Sequence, residues 1–403
     1  MSSHDVAVIG GGCIGCSTAR SLARKSNLDI AIIEKEHQLA AHQSGRNSGV
    51  IHPGFNYEPG SVKARFATEG TARMKAYADD NDIPLEKLGV LVVAQTDAEE
   101  RRLHDLQEQA DANEVETEFL AEAEEIAKYE PHASGQAALY APGAASIDAQ
   151  QYVYSLAKDA ISNGVDFYKG TEVTGVKRYT DGFLLQTSSG RLRADYIVNC
   201  AGLQADRVAA GFNVGTDFQI IPFRGEYYEV VPEKREVCET MIYPTPDPEL
   251  PFLGVHYTRQ TDDKVIVGPN AVLAFGREAY ENTDYDLTDL LETLGYRGFR
   301  RLMADPKMLR VGWGEVNKSY RKKKFVEAAQ RLVPAVTTDD FRKSYAGVRA
   351  QLVTNDGELV KDPLFKHTSA STHVLNAVSP GLTCSLPFGE KLASDVQENY
   401  EYA

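Results

Sequence analysis

The chain has 403 residues, 42% of them hydrophobic, and a formal net charge of −15. This length predicts two domains with separate cores. The acidic balance argues against a nucleic-acid surface, which needs a basic field. No run of roughly 18 uncharged apolar residues and no signal-peptide pattern is present, so we expect a cytoplasmic protein without a spanning helix.

The chain opens with a predicted strand, residues 5–10, that runs directly into a helix. Gly10, Gly12 and Gly15 lie at this junction in GxGxxG spacing. The first glycine allows a tight turn, the second lets the backbone approach a pyrophosphate, and the third lets the helix pack closely on the strand. The N–H groups at the helix start then face the phosphate charge.

A second predicted strand, residues 29–33, ends in Glu34. Glu34 lies 19 residues after Gly15, where an acidic side chain can bind ribose hydroxyls. The pattern therefore predicts a βαβ dinucleotide-binding unit, and the adjacent Lys35 is a further candidate contact.

Cys13 and Cys16 form a CxxC motif within the glycine junction. Such a pair could indicate a redox site or half of a zinc site. The glycine spacing and the lack of a second CxxC favour small residues that fill the loop, with Cys13 and Ile14 against the cofactor and no metal site. The odd number of cysteines, five, predicts a reducing compartment rather than a disulfide framework.

A polar, glycine- and serine-rich segment follows Glu34. Backbone donors and hydroxyls in such a loop suit a cofactor that extends beyond its pyrophosphate, which favours FAD over NAD. The candidate FAD contacts in this loop are Gln43, Ser44, Arg46, Asn47, Ser48 and Gly49.

Residues 171–199 predict three short strands separated by Asp181-Gly182 and Ser189-Gly190, both strong hairpin signals. The last strand leads into a small-residue turn, and Val173 begins the first. We predict that FAD contacts Val173 and the turn formed by Cys200, Ala201 and Gly202.

Long aromatic strands at 218–230 and 253–267 predict a second domain on a mixed or antiparallel sheet. The predicted fold is α/β (α+β overall). Its FAD-binding domain is discontinuous, and the substrate-binding domain takes up the remaining segments. The predicted boundaries are 1–80, 145–215 and 340–403 for the FAD domain, and 81–144 and 216–339 for the substrate domain.

The sequence resembles the FAD-dependent L-2-hydroxyglutarate oxidase/dehydrogenases, a branch of the D-amino-acid oxidase and glycine oxidase superfamily with a glutathione-reductase-like FAD domain. The resemblance spans nearly the whole chain. Its most specific stretches are 42–64, 222–232, 242–259, 267–275 and 346–351.

The resemblance implies oxidation of L-2-hydroxyglutarate, a small dicarboxylate 2-hydroxy acid, to 2-oxoglutarate. FAD, held without a covalent link, would be the first electron acceptor, and oxygen or a quinone the final one. Any membrane contact would be peripheral, at the inner face of the cell membrane. The turn before the last helix departs from the superfamily's glycine-rich version, and its candidate flavin contacts are Ser379, Pro380, Gly381, Leu382 and Thr383.

Oxidation of a 2-hydroxy acid moves the Cα hydrogen to the flavin as hydride while a base removes the hydroxyl proton. A neutral histidine within hydrogen-bond reach suits that task. His52 follows the FAD loop and is the favoured base; His256, on a substrate-domain strand, is the alternative. Structural roles are expected for His4, His37, His104, His132, His367 and His373.

Arg349 matches the position from which the superfamily presents an arginine to the substrate α-carboxylate, and the guanidinium fork suits a bidentate pair. It is also a candidate FAD contact. The group that binds the second carboxylate stays open among Tyr57, Tyr243, Arg224 and Arg259.

Two other functions stay open. An amine or amino-acid oxidase of the glycine or sarcosine oxidase type would share this fold, although its substrate needs no base. A flavin-binding redox sensor without turnover would need neither the histidines nor Arg349.

Overall fold

A computed structural model describes residues 2–179, 182–247, 253–377 and 379–401. The helices, in chain order, are α1 Cys13–Lys25, α2 Val62–Asp80, α3 Asp97–Ala112, α4 Ala123–Tyr129, α5 Ala149–Ser162, α6 Ala205–Ala210, α7 Leu287–Gly295, α8 Arg297–Ala304, α9 Pro306–Tyr320, α10 Lys322–Gln330 and α11 Ser385–Glu401. Among the described residues, no helix is long and apolar enough to cross a membrane.

The strands, in chain order, are β1 Ser2–Ile9, β2 Ile30–Ile33, β3 Val50–Ile51, β4 Leu85–Glu86, β5 Val90–Ala94, β6 Glu118–Leu120, β7 Ala137–Ala141, β8 Ala145–Ile147, β9 Asp166–Tyr168, β10 Val173–Tyr179, β11 Gly182–Thr187, β12 Gly190–Asn199, β13 Phe218–Val230, β14 Met241–Pro244, β15 His256–Arg259, β16 Val265–Gly268, β17 Val272–Leu273, β18 Phe341–Thr354, β19 Leu364–His367 and β20 Ser371–Asn376.

The first sheet has a parallel centre, in which β1 lies between β2 and β12 and β9 extends the sheet beyond β2. The helices α1 and α5 pack together on this sheet, and α11 packs on α1. The predicted meander forms β10, β11 and β12, which pair antiparallel. Asp181 of its first predicted turn lies outside the described residues. The βαβ order of β1, α1 and β2 brings the glycine junction to the carboxyl end of β1, where α/β sheets bind ligands.

The second sheet is mixed and mostly antiparallel, in the order β17-β13-β16-β15-β14-β5-β7-β6, with β18 also paired to β13. The predicted strand at 218–230 is found with those bounds, and the predicted strand at 253–267 is a hairpin of β15 and β16. A small third sheet joins β3, β8 and β4.

The last strands of the chain join different sheets. β18 forms a long antiparallel ladder with β13 in the second sheet, whereas the predicted division groups these residues with the FAD domain. β20 pairs parallel with β12 in the first sheet. The domain boundaries themselves stay a prediction.

Candidate active site

A cavity of about 640 Å³ opens at the carboxyl end of β1. Its walls come from the glycine junction, the strand end at Glu34, the polar loop, the start of β10 and the turn after β12. The predicted cofactor contacts that line it are Gly10, Gly12, Glu34, Lys35, Gln43, Ser44, Val173, Cys200, Ala201 and Gly202. Separate segments of the chain thus meet at one cavity large enough for a nucleotide cofactor.

The glycines of the junction make close backbone approaches. A Cβ at Gly15 would lie 1.9 Å from the carbonyl oxygen of Gly10, and one at Gly10 would lie 2.4 Å from that of Cys200. A Cβ at Gly12 would instead meet the Ser44 hydroxyl oxygen at 2.9 Å. The third glycine therefore allows the helix to pack on the strand, and the second borders the cavity, as their spacing predicts.

The carboxylate of Glu34 is held at the cavity wall by backbone donors. The N–H of Gly11 donates to one oxygen at 2.7 Å and the N–H of Glu36 donates to the other at 2.9 Å. Lys35 also lines the cavity, and its ammonium group pairs with Glu36 at 2.8 Å and with Glu278.

Arg46, Asn47, Ser48 and Gly49, the other predicted FAD contacts of the polar loop, are not among the residues that line this cavity. Asn47 and Arg46 make bonds within and around the loop. Asn47 donates to the carbonyls of Gln43 and Ser44, and its side-chain oxygen accepts from the N–H of Gly49 at 2.8 Å. The guanidinium of Arg46 lies 4.1 Å from the centre of the Tyr280 ring and donates to the carbonyl of Ala41 at 2.8 Å.

The CxxC pair has a structural place in α1. Cys13 and Cys16 are both free thiols and both buried, and burial raises the pKa of each. The N–H of Cys13 donates to the Ser44 hydroxyl at 3.0 Å, which ties α1 to the polar loop. Ile14 packs against the neighbouring apolar clusters.

The turn before α11 contacts the segment that carries His52. The N–H of His52 donates to the hydroxyl of Thr383 at 3.2 Å, and the hydroxyl of Thr71 donates to the His52 carbonyl at 2.9 Å. Pro380, Gly381 and Leu382 lead into this contact, and Ser379 begins the turn.

Both candidate bases lie in one cluster of aromatic and charged side chains. The His52 ring packs on those of Phe55 and Tyr57, with centroids 5.1 Å and 5.6 Å apart. The His256 ring packs on that of Tyr243 at 4.2 Å. Burial, followed by the charge of Lys63 and the electrostatic effect that a protonated His256 would add, lowers the pKa of His52 to about 4.

His256 is 6% exposed, and its hydrogen bond defines its tautomer. Nδ1 lies 2.9 Å from the carbonyl oxygen of Gly254, which can only accept, so Nδ1 carries the proton and Nε2 has the free lone pair. Burial lowers its pKa to about 4, with a further lowering from the charge of Arg349. Nδ1 of His52 instead accepts a long bond of 3.4 Å from the N–H of Gly54, which leaves the proton on Nε2.

Arg349 lies on β18, opposite Phe223 of β13. Arg349 is exposed to solvent, and the surrounding protein still lowers the pKa of its guanidinium by partial desolvation. The charge of Arg349 also lowers the pKa of His256 and of Lys63, so the three side chains lie within electrostatic reach of one another.

Two predicted substrate ligands point elsewhere. Arg224 neighbours Phe223 on β13, so it lies on the sheet face opposite Arg349. It is buried, pairs with Glu226 at 3.2 Å and donates to the carbonyl of Glu281 at 2.9 Å. The geometry does not support its predicted contact with substrate.

Arg259 is placed away from the cluster for the same reason. It is three residues from His256 on β15 and lies on the other face, beside Tyr257. Its guanidinium donates to the carbonyls of Arg235 and Cys238, at 3.2 Å and 2.8 Å, and pairs with Asp263. These bonds make Arg259 a brace of the sheet rather than a ligand.

Two residues of the cluster were missing from the sequence-based candidates. The Lys63 ammonium lies 4.6 Å from the centre of the Tyr57 ring, and burial lowers its pKa. Tyr227 is buried beside Tyr345, with ring centroids 4.9 Å apart, and burial raises its pKa to about 12. Both lie in stretches that carry the family resemblance, 42–64 and 222–232. Membership of these stretches is the sequence feature that could have identified them as site residues.

Comparison with known proteins agrees with this architecture. The chain is 40% identical over 396 residues to an L-2-hydroxyglutarate dehydrogenase of Escherichia coli strain K12, covering 98% of this chain and 93% of that protein. It is 37% identical over 411 residues to the mitochondrial L-2-hydroxyglutarate dehydrogenase of Mus musculus, covering 98% of this chain and 88% of that protein.

Among solved structures, the FAD-bound L-α-glycerophosphate oxidase of Mycoplasma pneumoniae has the same fold, with a TM-score of 0.79, 24% identity, and coverage of 99% of this chain and 95% of that one. Glycine oxidase of Geobacillus kaustophilus gives a TM-score of 0.72 at 20% identity, with the same coverage. The family profile described as FAD dependent oxidoreductase matches residues 5–394. The chain therefore belongs to the DAO family of FAD-dependent oxidoreductases.

Proposed function

We propose that this protein oxidises L-2-hydroxyglutarate to 2-oxoglutarate, with FAD as the first electron acceptor. The observation that carries the proposal is one cluster in which His52 and Lys63 both pack on Tyr57. His256, whose Nε2 lone pair is free, lies within electrostatic reach of His52 and Arg349. This set offers a base and two cations for a hydroxy acid with two carboxylates. The similarity to L-2-hydroxyglutarate dehydrogenases over nearly the full chain supports the same substrate.

The residues around the 640 Å³ cavity fit FAD. Gly10 and Gly12 leave room at the start of α1 for the pyrophosphate, and the fixed carboxylate of Glu34 suits ribose hydroxyls. When bound, FAD supplies the oxidant that takes the Cα hydrogen as hydride. We infer that the flavin end extends towards the turn at Ser379–Thr383, since this turn contacts the His52 segment.

We infer that His256, rather than the initially favoured His52, is the base. Its Nε2 lone pair is free to accept the hydroxyl proton, because the carbonyl of Gly254 holds the proton of the other nitrogen. A pKa of about 4 keeps the ring neutral at pH 7. His52, with its proton on Nε2, is suited to donate a hydrogen bond to the substrate oxygen.

Arg349 is proposed to bind the α-carboxylate. It extends from β18 opposite Phe223, and the guanidinium fork suits a bidentate pair with a planar carboxylate. Arg349 lies within electrostatic reach of Tyr227 and of His256. A carboxylate bound to it would therefore lie on the same side of the cluster as the proposed base.

Lys63 is proposed to bind the second carboxylate, with Tyr57 beside it. Arg224 and Arg259 bind other groups of the protein, on the other face of the sheet. Lys63 lies in the cluster itself, within electrostatic reach of Arg349, and so offers a second cation for the substrate. The stacked aromatic surface of Tyr57 would cover the short methylene chain between the two carboxylates.

The test is anaerobic mixing of the flavin-loaded protein with L-2-hydroxyglutarate, its D-enantiomer, glycine and sarcosine while flavin absorbance is followed. We expect rapid bleaching by the L form alone. Bleaching by the D form alone would contradict the stereochemistry, and bleaching by glycine or sarcosine would identify an amine oxidase. A flavin unchanged by every 2-hydroxy acid would instead favour a redox sensor.

The final electron acceptor is proposed to be oxygen or a quinone. After anaerobic reduction, the re-oxidation rate in air is compared with that on addition of a soluble ubiquinone analogue. Faster re-oxidation by the quinone would make the protein a dehydrogenase, and hydrogen peroxide formed with each turnover would make it an oxidase. A cytoplasmic location with at most peripheral membrane contact is part of the same proposal.

A further inference from the structure

Helix α9 carries its apolar side chains on the outside of the protein. Leu309, Trp313, Val316 and Tyr320 recur at intervals of four, three and four residues, so they form one stripe along the helix. Their exposed fractions are 49%, 70%, 38% and 61%. This arrangement is inverted relative to an ordinary surface helix, which turns its apolar stripe inward.

A flank of α9 outside the stripe is anchored to the protein by polar contacts. The hydroxyl of Ser319 donates to the Glu226 carboxylate at 2.9 Å, and Glu315 accepts from the N–H of Ala271 at 2.8 Å. The orientation of the helix is therefore defined, and its exposed stripe is not simply a loosely packed segment. α7 has a second exposed stripe of the same spacing, at Leu287, Leu291 and Leu294.

The segment that contains α8 and α9, unlike α7, is strongly basic in an acidic protein. Residues 296–324 contain ten lysines and arginines against two acidic residues, a local charge of +8 in a chain of net charge −15. Arg310 is exposed on α9 itself, and Arg321 and Lys323 are exposed just beyond its end. Exposed tryptophan, tyrosine and leucine next to arginine and lysine are typical of helices that lie in a membrane interface.

We propose that the exposed stripe of α9, with the basic residues around it, docks on an anionic lipid bilayer. The charges complement acidic headgroups, and the stripe can enter the boundary between headgroups and acyl chains. A second copy of this chain is a poorer occupant, because a symmetric dimer through this surface would bring like charges together. The proposal is independent of the substrate assigned above.

Trp313 is the only tryptophan of the chain, so its fluorescence reports on this surface alone. The full flavin-loaded protein is mixed with vesicles of phosphatidylcholine containing one quarter phosphatidylglycerol, and with pure phosphatidylcholine vesicles. We expect a blue shift of emission and co-sedimentation with the anionic vesicles. Binding to the neutral vesicles, or to anionic vesicles at about 1 M salt, should be at least about tenfold weaker.

The matched variants are Leu309→Asp with Val316→Asp, and the control Tyr154→Asp with Ile161→Asp. Both pairs replace exposed apolar residues seven positions apart, and the control pair lies on α5. We expect the α9 pair to lose vesicle binding at least about tenfold and the control pair to keep it, with flavin absorbance and Tm as checks on folding.

Several results would overturn the proposal. Wild-type emission unchanged by anionic vesicles would do so even if no variant folded, and so would equal binding to neutral vesicles. Equal loss of binding in both variant pairs would show that the surface is not specific. A blue shift that grows with protein concentration without lipid would assign the stripe to a second copy of the chain.

Discussion

The carbonyl oxygen of Gly254 lies 2.9 Å from Nδ1 of His256 and so fixes the proton on that nitrogen. The two residues are two positions apart in sequence, and one backbone group thus decides which nitrogen of the ring can act as a base. The equivalent nitrogen of His52 accepts from a backbone N–H instead. Two histidines of one cluster are therefore held in opposite tautomers, which suits a base and a donor.

Replacement of His256 by Asn should reduce the rate of flavin reduction by L-2-hydroxyglutarate by about 100-fold to 10,000-fold, the usual contribution of a general base. His52→Asn should cost less, because it removes only a hydrogen bond to the substrate oxygen. Anaerobic stopped-flow absorbance measures both rates. A larger loss in His52→Asn than in His256→Asn would return the role of base to His52.

Acid should slow flavin reduction only at unusually low pH. His256 must be neutral to accept a proton, and burial lowers its pKa from 6.5 to about 4. The rate at limiting substrate should therefore hold from pH 7 to about pH 5 and fall as the pH passes through about 4. The residual rate of His256→Asn, measured across the same range, corrects for titration of the substrate carboxylates. An inflection of the wild-type rate near pH 6.5 would contradict the burial of this group.

The folded and unfolded states bind protons differently at this site. An unfolded chain protonates its histidines below about pH 6.5, whereas folded His52 and His256 stay neutral down to about pH 4. The free energy of unfolding should therefore decrease as the pH falls from about 6.5 to about 4. Denaturant titrations at several pH values measure it, and the double variant His52→Asn, His256→Asn should have a flatter dependence.

The sequence predicted the cofactor end of the molecule well because local geometry determines it. Gly10, Gly12 and Gly15 lie where their spacing predicts, since a tight strand-to-helix turn leaves few alternatives. The turn at Cys200–Gly202 meets the same cavity because it follows a strand adjacent to β1. The contacts with FAD itself stay predictions.

The substrate end was harder to predict because it depends on which face of a strand each side chain occupies. Arg224 shares a strand with Tyr227, and Arg259 shares a strand with His256. Side chains alternate between the two faces of a sheet, so an odd separation along the strand places the arginines on the face away from the cluster. Lys63 lies on the first turn of α2. Its distance from Arg349 on β18 depends on how the helix packs against the rest of the fold. Neither periodicity nor motif spacing carries that information.

Replacement of Arg349 by Ala should lower kcat/KM for L-2-hydroxyglutarate by about 30-fold to several thousandfold. This range corresponds to about 2 to 5 kcal/mol for the removal of one partner of a desolvated charge pair. Arg224→Ala, on the other face of the sheet, is the control; it should affect Tm more than kcat/KM among the molecules that fold. An effect of Arg349→Ala below about fivefold would remove Arg349 from the substrate site.

Replacement of Lys63 by Met tests the assignment of the second carboxylate. Methionine keeps the length and apolar stem of lysine but removes the charge, so the contact with the Tyr57 ring should persist. We expect kcat/KM for L-2-hydroxyglutarate to fall by about 10-fold to 100-fold, as for loss of a hydrogen-bonded charge worth about 1.5 to 3 kcal/mol. Activity with L-2-hydroxybutyrate, which lacks the second carboxylate, should change by less than about threefold. The ratio of the two kcat/KM values is the measurement, because a general structural defect would lower both equally. A change below about threefold in kcat/KM for L-2-hydroxyglutarate as well would place the second carboxylate elsewhere in the cluster, with Tyr243 as the next residue to replace.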